Sequence, residues 1–294
     1  MSSRATWSAL ALACATTACV TQPELAGPPV ASPLSTRWEL EPVSTLAPYQ
    51  MRPHKQNYAL LGRWSSAPNQ GVLDAASPSG QAYDLDPLEL EFQLSFKLKL
   101  VDDGLFGGDL WAAYTQLSHW QAYNLDDSAP FRETNYEPEL IWTLPLDAEW
   151  AGVRARMLNL GFVHQSNGRG EALSRSWNRL YGQVGVERGD VAVLARGWWR
   201  IPESDDNNPD IEDYLGYGDL LAVWTRDVST FSLLLRHNLD FDEGRGALQL
   251  DWSFPLDGHL RGYVQLFHGY GETLLDYDHQ QTAIGIGFLL TDLL

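Results

Sequence analysis

The chain has 294 residues, a formal net charge of -18 and two cysteines. Such acidity argues against nucleic acid as a partner, because a phosphate backbone is gripped by basic surface. Mean hydropathy is -0.26, and past the N-terminus no run reaches the roughly 18 apolar residues of a membrane-crossing helix, which leaves strands as the one route through a bilayer.

The chain opens on Met1-Ser2-Ser3-Arg4, continues with an apolar run from Trp7 to Cys14, and leaves through small residues to Ala18. This is the pattern of a secretory signal peptide, assigned to residues 1–19. Cleavage beside Ala18 and lipidation at Cys14 or Cys19 both fit it. Because both cysteines lie here, the mature part is expected to hold no disulfide. Residues 20–55 are rich in Pro, Ala, Ser and Thr, with Pro28, Pro29 and Pro33, and read as a poorly ordered lead-in. Residues 56–294 form the remaining domain.

From Leu88 to Leu100, Leu and Phe alternate with Glu89, Glu91, Gln93, Ser95, Lys97 and Lys99. A period of two is a strand, since successive side chains leave on opposite faces. The pattern returns at Phe231–Leu239, Leu248–Phe254 and Ile284–Leu290, with turn-rich gaps such as Asp102-Asp103-Gly104 between the runs. Candidate strands start near residues 57, 88, 108, 137, 151, 176, 190, 214, 230, 246, 259 and 281. The expected fold is therefore all-β, a twelve-stranded antiparallel transmembrane barrel. A soluble sandwich also alternates. Charges on the polar faces (Glu89, Lys97, Arg236, Asp251), twelve Trp and twelve Tyr for interfacial girdles, and an apolar closing strand favour the membrane. The usual final aromatic is here Leu294.

Leu158, Leu160 and Phe162 share parity with His164 and Ser166, so the histidine and serine are expected on the apolar, outward face. On the next strand Asn178 shares parity with Leu180 and Val184. A turn within 167–175 joins the two, so antiparallel pairing brings Asn178 beside His164. A lipid-facing Ser-His-Asn set suits acyl transfer on a lipid ester. Ser166 is the nucleophile, His164 the base, and Asn178 holds the imidazole in its working tautomer.

The surrounding motifs are more specific. The segment Ser128-Ala129-Pro130-Phe131-Arg132-Glu133-Thr134-Asn135-Tyr136-Glu137-Pro138-Glu139 closely resembles a signature of the bacterial outer-membrane phospholipase A family. So do His164-Gln165-Ser166-Asn167-Gly168-Arg169 with Ser174-Arg175-Ser176-Trp177-Asn178-Arg179-Leu180-Tyr181, the run Asp206–Ile211, and the run Gly269–Tyr277. The resemblance spans roughly residues 55–294. It implies a twelve-stranded barrel in the bacterial outer membrane, and calcium-dependent hydrolysis of phospholipid acyl esters by a homodimer. It carries His164, Ser166 and Asn178 onto the catalytic positions and Gly168 onto an oxyanion-hole N–H. Calcium ligation falls on Ser128 (from the partner subunit), the carbonyl of Arg169, and Ser174. Gln116 falls on a polar dimer contact in the lipid face. Gly170-Glu171 stands where the family usually has Ser-Asp. Glu171 keeps a carboxylate with one more methylene, and the number of calcium sites is left open.

If both termini face the periplasm, the fifth strand runs outward and His164 and Ser166 end near the outer leaflet. The alternative functional class is a non-catalytic barrel, a pore or a structural protein. A soluble periplasmic β-protein is a third.

Overall fold

A computed structural model describes residues 32–41, 48–77 and 83–294, the side chain of Glu171 excepted. The expected signal peptide, with Cys14 and Cys19, lies outside the described residues. Among the described residues thirteen strands follow in order: β1 (Met51–Pro53), β2 (Asn57–Ser65), β3 (Leu88–Val101), β4 (Asp109–Trp120), β5 (Phe131–Trp150), β6 (Val153–Ser166), β7 (Ser176–Arg188), β8 (Val191–Ile201), β9 (Gly218–Arg226), β10 (Ser229–His237), β11 (Gly246–Asp257), β12 (Leu260–Tyr270) and β13 (Gln280–Thr291). Every neighbouring pair is antiparallel. β2 pairs with both β13 and β3, and β3 pairs with β4, so β2–β13 close into a twelve-stranded barrel. The short β1 continues the row of β2, meeting β3 at Met51↔Leu98 beyond the point where β2 has ended.

The connections are asymmetric. At one end they are tight turns, such as Ala151-Gly152, where both residues take positive φ (51° and 76°), the left-handed pair that a two-residue type I′ hairpin requires. The other end carries longer loops, which include α2 (Gln70–Ala76) and α3 (Ile211–Leu215). β6, the fifth strand of the closed barrel, runs from the turn end to the loop end.

The two faces are sorted inversely to a soluble protein. On β3, Lys97 is 0% exposed and Glu89, Glu91 and Lys99 are buried, whereas Leu94 is 49% exposed. Leu140, Leu160, Phe162, Leu180, Ile284 and Ile286 likewise point outward. An apolar exterior over a charged interior is stable in lipid and unstable in water. That rules out the soluble sandwich.

Interior arginines and carboxylates compensate one another in clusters. Arg63 lies 2.9 Å from Glu89 and 3.3 Å from Glu91 and also pairs with Glu272. Arg132 reaches Glu89 at 2.9 Å and Asp276 at 2.7 Å. Removing one member of such a pair strands the other, at a cost of about 3–5 kcal/mol.

Three expectations are corrected. β5 begins at Phe131, not near 137. Its first inward residues, Arg132, Glu133 and Asn135, are buried in the lumen, and their polarity disguised the strand. β9 begins at Gly218, not near 214, because α3 occupies 211–215 and is stopped by Gly216 at φ 72°.

The third correction concerns the lead-in 20–55, whose described part is not loose. α1 (Pro33–Trp38) starts at Ser32, whose hydroxyl accepts from Ser35 N at 3.2 Å, with Pro33 at the first helical position. It is anchored by Leu34 N donating to Glu187 Oε1 at 2.8 Å. Leu34 and Trp38 are buried with Trp111 and Met157. The Trp38 ring sits under Lys97 Nζ at 3.3 Å from its centroid, a cation–π contact that substitutes for an ion partner. Two well-placed apolar side chains, not composition, decide the order of this segment.

Candidate active site

The β6–β7 hairpin places the expected groups. Odd residues of β6, Met157, Asn159 and Val163, are buried, and even residues Leu160 and Phe162 are exposed. His164 and Ser166 continue the outward row. On a strand, residues two apart stand about 6–7 Å apart on one face, within reach of an imidazole. The register pairs His164 with Asn178 and Ser166 with Ser176, and His164 Nδ1 lies 2.9 Å from Asn178 Oδ1. An amide oxygen only accepts, so Nδ1 carries the proton and Nε2 is left as the basic nitrogen. Among the described residues, no hydrogen bond joins the Ser166 hydroxyl to His164. In hydrolases that contact commonly tightens as substrate binds.

The loop after Ser166 is tied by Asn167, which is buried. Its Nδ2 donates to Leu173 O at 2.7 Å, and its Oδ1 accepts from Arg175 N at 3.0 Å and Arg169 N at 3.3 Å. Gly168 has φ 64°, and a Cβ there would come 3.1 Å from the Tyr136 ring. The turn beside the serine is thus reserved for glycine, the one residue that adopts this conformation without strain. Arg169 sends its guanidinium inward, Nε to Glu133 Oε2 at 3.1 Å and Nη2 to Phe131 O at 3.2 Å.

The oxygens that the resemblance assigns to calcium are neutral. Ser174 Oγ accepts from Asn207 Nδ2 at 3.1 Å. Ser128 sits on the exposed loop between β4 and β5 with φ 64°, and no hydrogen bond links it to Arg169 or Ser174 among the described residues. The Glu171 side chain lies outside the described residues. No cluster of three His, Cys, Asp or Glu side chains poised for a metal occurs among the described residues. Hydroxyl and carbonyl oxygens are nonetheless hard donors of the kind calcium accepts together with water, so the donor set fits the ion. Gln116 faces outward on β4, accepting from Tyr114 OH at 3.2 Å and donating to Ser118 Oγ at 3.1 Å.

Two groups escaped the sequence reading. Asn167 is the first; its place directly after the serine was the available signal. Glu203 is the second: its Oε1 accepts from Asn178 Nδ2 at 2.8 Å. It lies two residues past Ile201, the register partner of Asn178, so only the pairing reveals it. Arg132 and Glu133, neighbours in the lumen, do not pair with each other. Arg132 takes Glu89 and Asp276, and Glu133 takes Arg169. Asn135 Oδ1 accepts from the distant Leu274 N at 2.9 Å. A cavity of about 270 Å³ lies in the lumen, lined by ionisable groups including His54, Glu139, Arg196 and Arg236. It is on the inner side of the wall, away from the outward hairpin face.

The phospholipase A1 family profile matches residues 34–290. A putative phospholipase A1 of Neisseria meningitidis is 41% identical over 273 residues, 89% of this chain and 71% of the relative. The solved outer membrane phospholipase A from Escherichia coli superposes with a TM-score of 0.79 at 35% identity, covering 88% of this chain and 97% of that one. An outer membrane phospholipase from Salmonella typhi, a dimer with bound calcium, gives 0.78 at 36%, covering 84% and 94%. With a barrel closed to the same plan and a serine, histidine and asparagine gathered on its lipid face, the chain belongs to the phospholipase A1 family, and it is an enzyme of the bacterial outer membrane.

Proposed function

We propose that the chain hydrolyses acyl esters of phospholipids with Ser166 as nucleophile, His164 as base and Asn178 as orienting residue, in a calcium-dependent reaction that needs a homodimer. The 2.9 Å contact from His164 Nδ1 to Asn178 Oδ1, on the same outward face as Ser166, carries this reading. Ser166 Oγ attacks the ester carbonyl as its proton passes to His164 Nε2. The imidazolium then returns that proton to the departing lysophospholipid alkoxide, leaving an acyl-serine. Water, deprotonated by the same nitrogen, releases the fatty acid. Asn178 keeps the ring facing the serine through both halves. The Gly168 N–H stabilises the oxyanion.

Ser174, the Arg169 carbonyl and the partner's Ser128 would hold the calcium; Glu171 is a further candidate ligand. When bound, the ion supplies positive charge and polarised water beside the developing oxyanion. The Salmonella typhi relative, a dimer with calcium, supports both the ion and the second subunit. Gln116 on the lipid face would contact its copy across that interface. With ligands drawn from two chains, a lone subunit stays idle, and phospholipid reaching the outer leaflet is cleaved where dimers form.

The test is release of free fatty acid from phospholipid–detergent mixed micelles, with calcium or chelator, for the wild type and Ser166→Ala. The expected result is calcium-dependent release by the wild type and none by the mutant. Release by Ser166→Ala refutes the assignment.

A further inference from the structure

We infer that Glu203 is a positioning residue for hydrolysis, gripping Asn178 by its amide nitrogen so that the amide oxygen is turned to His164. The inference rests on the Ser166–His164–Asn178 reading and deepens it.

An asparagine amide has two ends of opposite character and nearly equal shape, so nothing in its own packing decides which end meets the histidine. A carboxylate only accepts hydrogen bonds. Glu203 Oε1, 2.8 Å from Asn178 Nδ2, therefore admits the NH₂ end and repels the oxygen. The reversed amide would set an oxygen against the carboxylate and an N–H against the protonated Nδ1 of His164. The choice made at Glu203 thus passes through Asn178 to the imidazole, fixing the proton on Nδ1 and the lone pair on Nε2, where Ser166 needs it. The carboxylate also brings a negative charge one group behind the ring. That supports the imidazolium, which a neutral asparagine alone stabilises less than an aspartate does.

The loop is built to hold Glu203 there. β8 stops at Ile201, and Pro202, with no N–H to donate, ends the ladder. Beyond it, Arg200 clasps both carboxylate oxygens of Asp206 at 2.6 and 2.7 Å. Asn208 Oδ1 accepts from Ser176 N at 3.1 Å, which stakes the far side of the loop to β7. Asp206 is thereby committed elsewhere, and Glu203 is the carboxylate hydrogen-bonded to the triad among the described residues.

The test uses the full protein in mixed micelles at saturating calcium, with Glu203→Ala, Glu203→Gln and the pair Asn178→Ala and Asn178→Ala/Glu203→Ala. kcat and KM are separated, and the rate at which a sulfonyl fluoride labels Ser166 is followed independently of lipid. Glu203→Ala is expected to lower kcat and the labelling rate together by about tenfold at unchanged KM, part of the contribution that general base catalysis makes. Glu203→Gln, whose amide oxygen can still accept, is expected to fall between it and the wild type and covers the case in which the alanine variant fails to insert. In the Asn178→Ala background the Glu203 change should add no further loss. Wild-type kcat and labelling in Glu203→Ala would overturn the inference. So would an equal additional loss without Asn178, or a defect erased by more calcium. Activity surviving in Ser166→Ala would instead bring down the triad itself. A dead Ser166→Ala beside a fully active Glu203→Ala would remove only the role of Glu203.

Discussion

Glu133 Oε2 and Arg169 Nε lie 3.1 Å apart, the glutamate fully buried in the lumen and the arginine on the loop that follows Ser166. The contact ties the outward-facing site to the charged interior. Arg169 contributes its backbone carbonyl to the proposed calcium site, and its side chain serves only as tether. Arg169→Ala keeps the carbonyl and cuts the tether. The calcium concentration for half-maximal fatty acid release should rise by about tenfold, the scale of one lost charge-assisted bond. An unshifted calcium titration would mean that the Asn167 knot suffices.

Asn178→Ala should be less damaging than Ser166→Ala, because it frees the imidazole without removing a reacting atom. The expected loss in kcat is about 10- to 100-fold, against complete loss for the serine. Steady-state release at saturating calcium separates the two.

Chelation should silence the enzyme and restored calcium should revive it, while migration of the unheated barrel in a detergent gel stays constant. The proposed ligands lie on loops outside the strand ladder, so metal removal is expected to cost turnover and not structure. Full activity in excess chelator would take the metal out of the mechanism.

Gln116 spends its hydrogen bonds on Tyr114 and Ser118 within one strand. A partner's Gln116 can compete for them on the lipid face, where no water does. Gln116→Ala should reduce the cross-linkable dimer and lower activity at low protein-to-lipid ratio, with recovery at high surface density. Equal activity at all densities would exclude the contact.

Gly161→Ala tests the inner wall behind the site. A Cβ there would fall 2.3 Å from Tyr181 Cζ. The Tyr181 hydroxyl donates to the buried Glu139 Oε2 at 2.9 Å, so the ring cannot yield without breaking that bond. A loss of about 1–3 kcal/mol is expected, read as a lower temperature of heat-induced unfolding on gels.

Much of this architecture was readable beforehand, for a physical reason. In a lipid-embedded barrel each strand meets two solvents at once, and Leu88 to Leu100 alternates cleanly because of it. The same parity placed His164, Ser166 and Asn178 outward, and a short hairpin had to bring two of them together. Where the inner residues are bulky acids and bases, as in Arg132 and Glu133, alternation was obscured and the start of β5 was misplaced. α1 was hidden by prolines, although Leu34 and Trp38 stand four apart on one helical side. Glu203 was out of reach, because its approach to Asn178 depends on the pairing Asn178↔Ile201 and on a loop whose path no local pattern encodes.

His164 and Asn178 stand only 14 positions apart along the chain, on adjoining arms of a single hairpin. Ring closure is therefore not what brings this pair together. The two arms set the contact by themselves, whereas Glu203 arrives from the next stave of the wall, so the hairpin with its neighbour β8 is the smallest piece that keeps this hydrogen-bonded row intact.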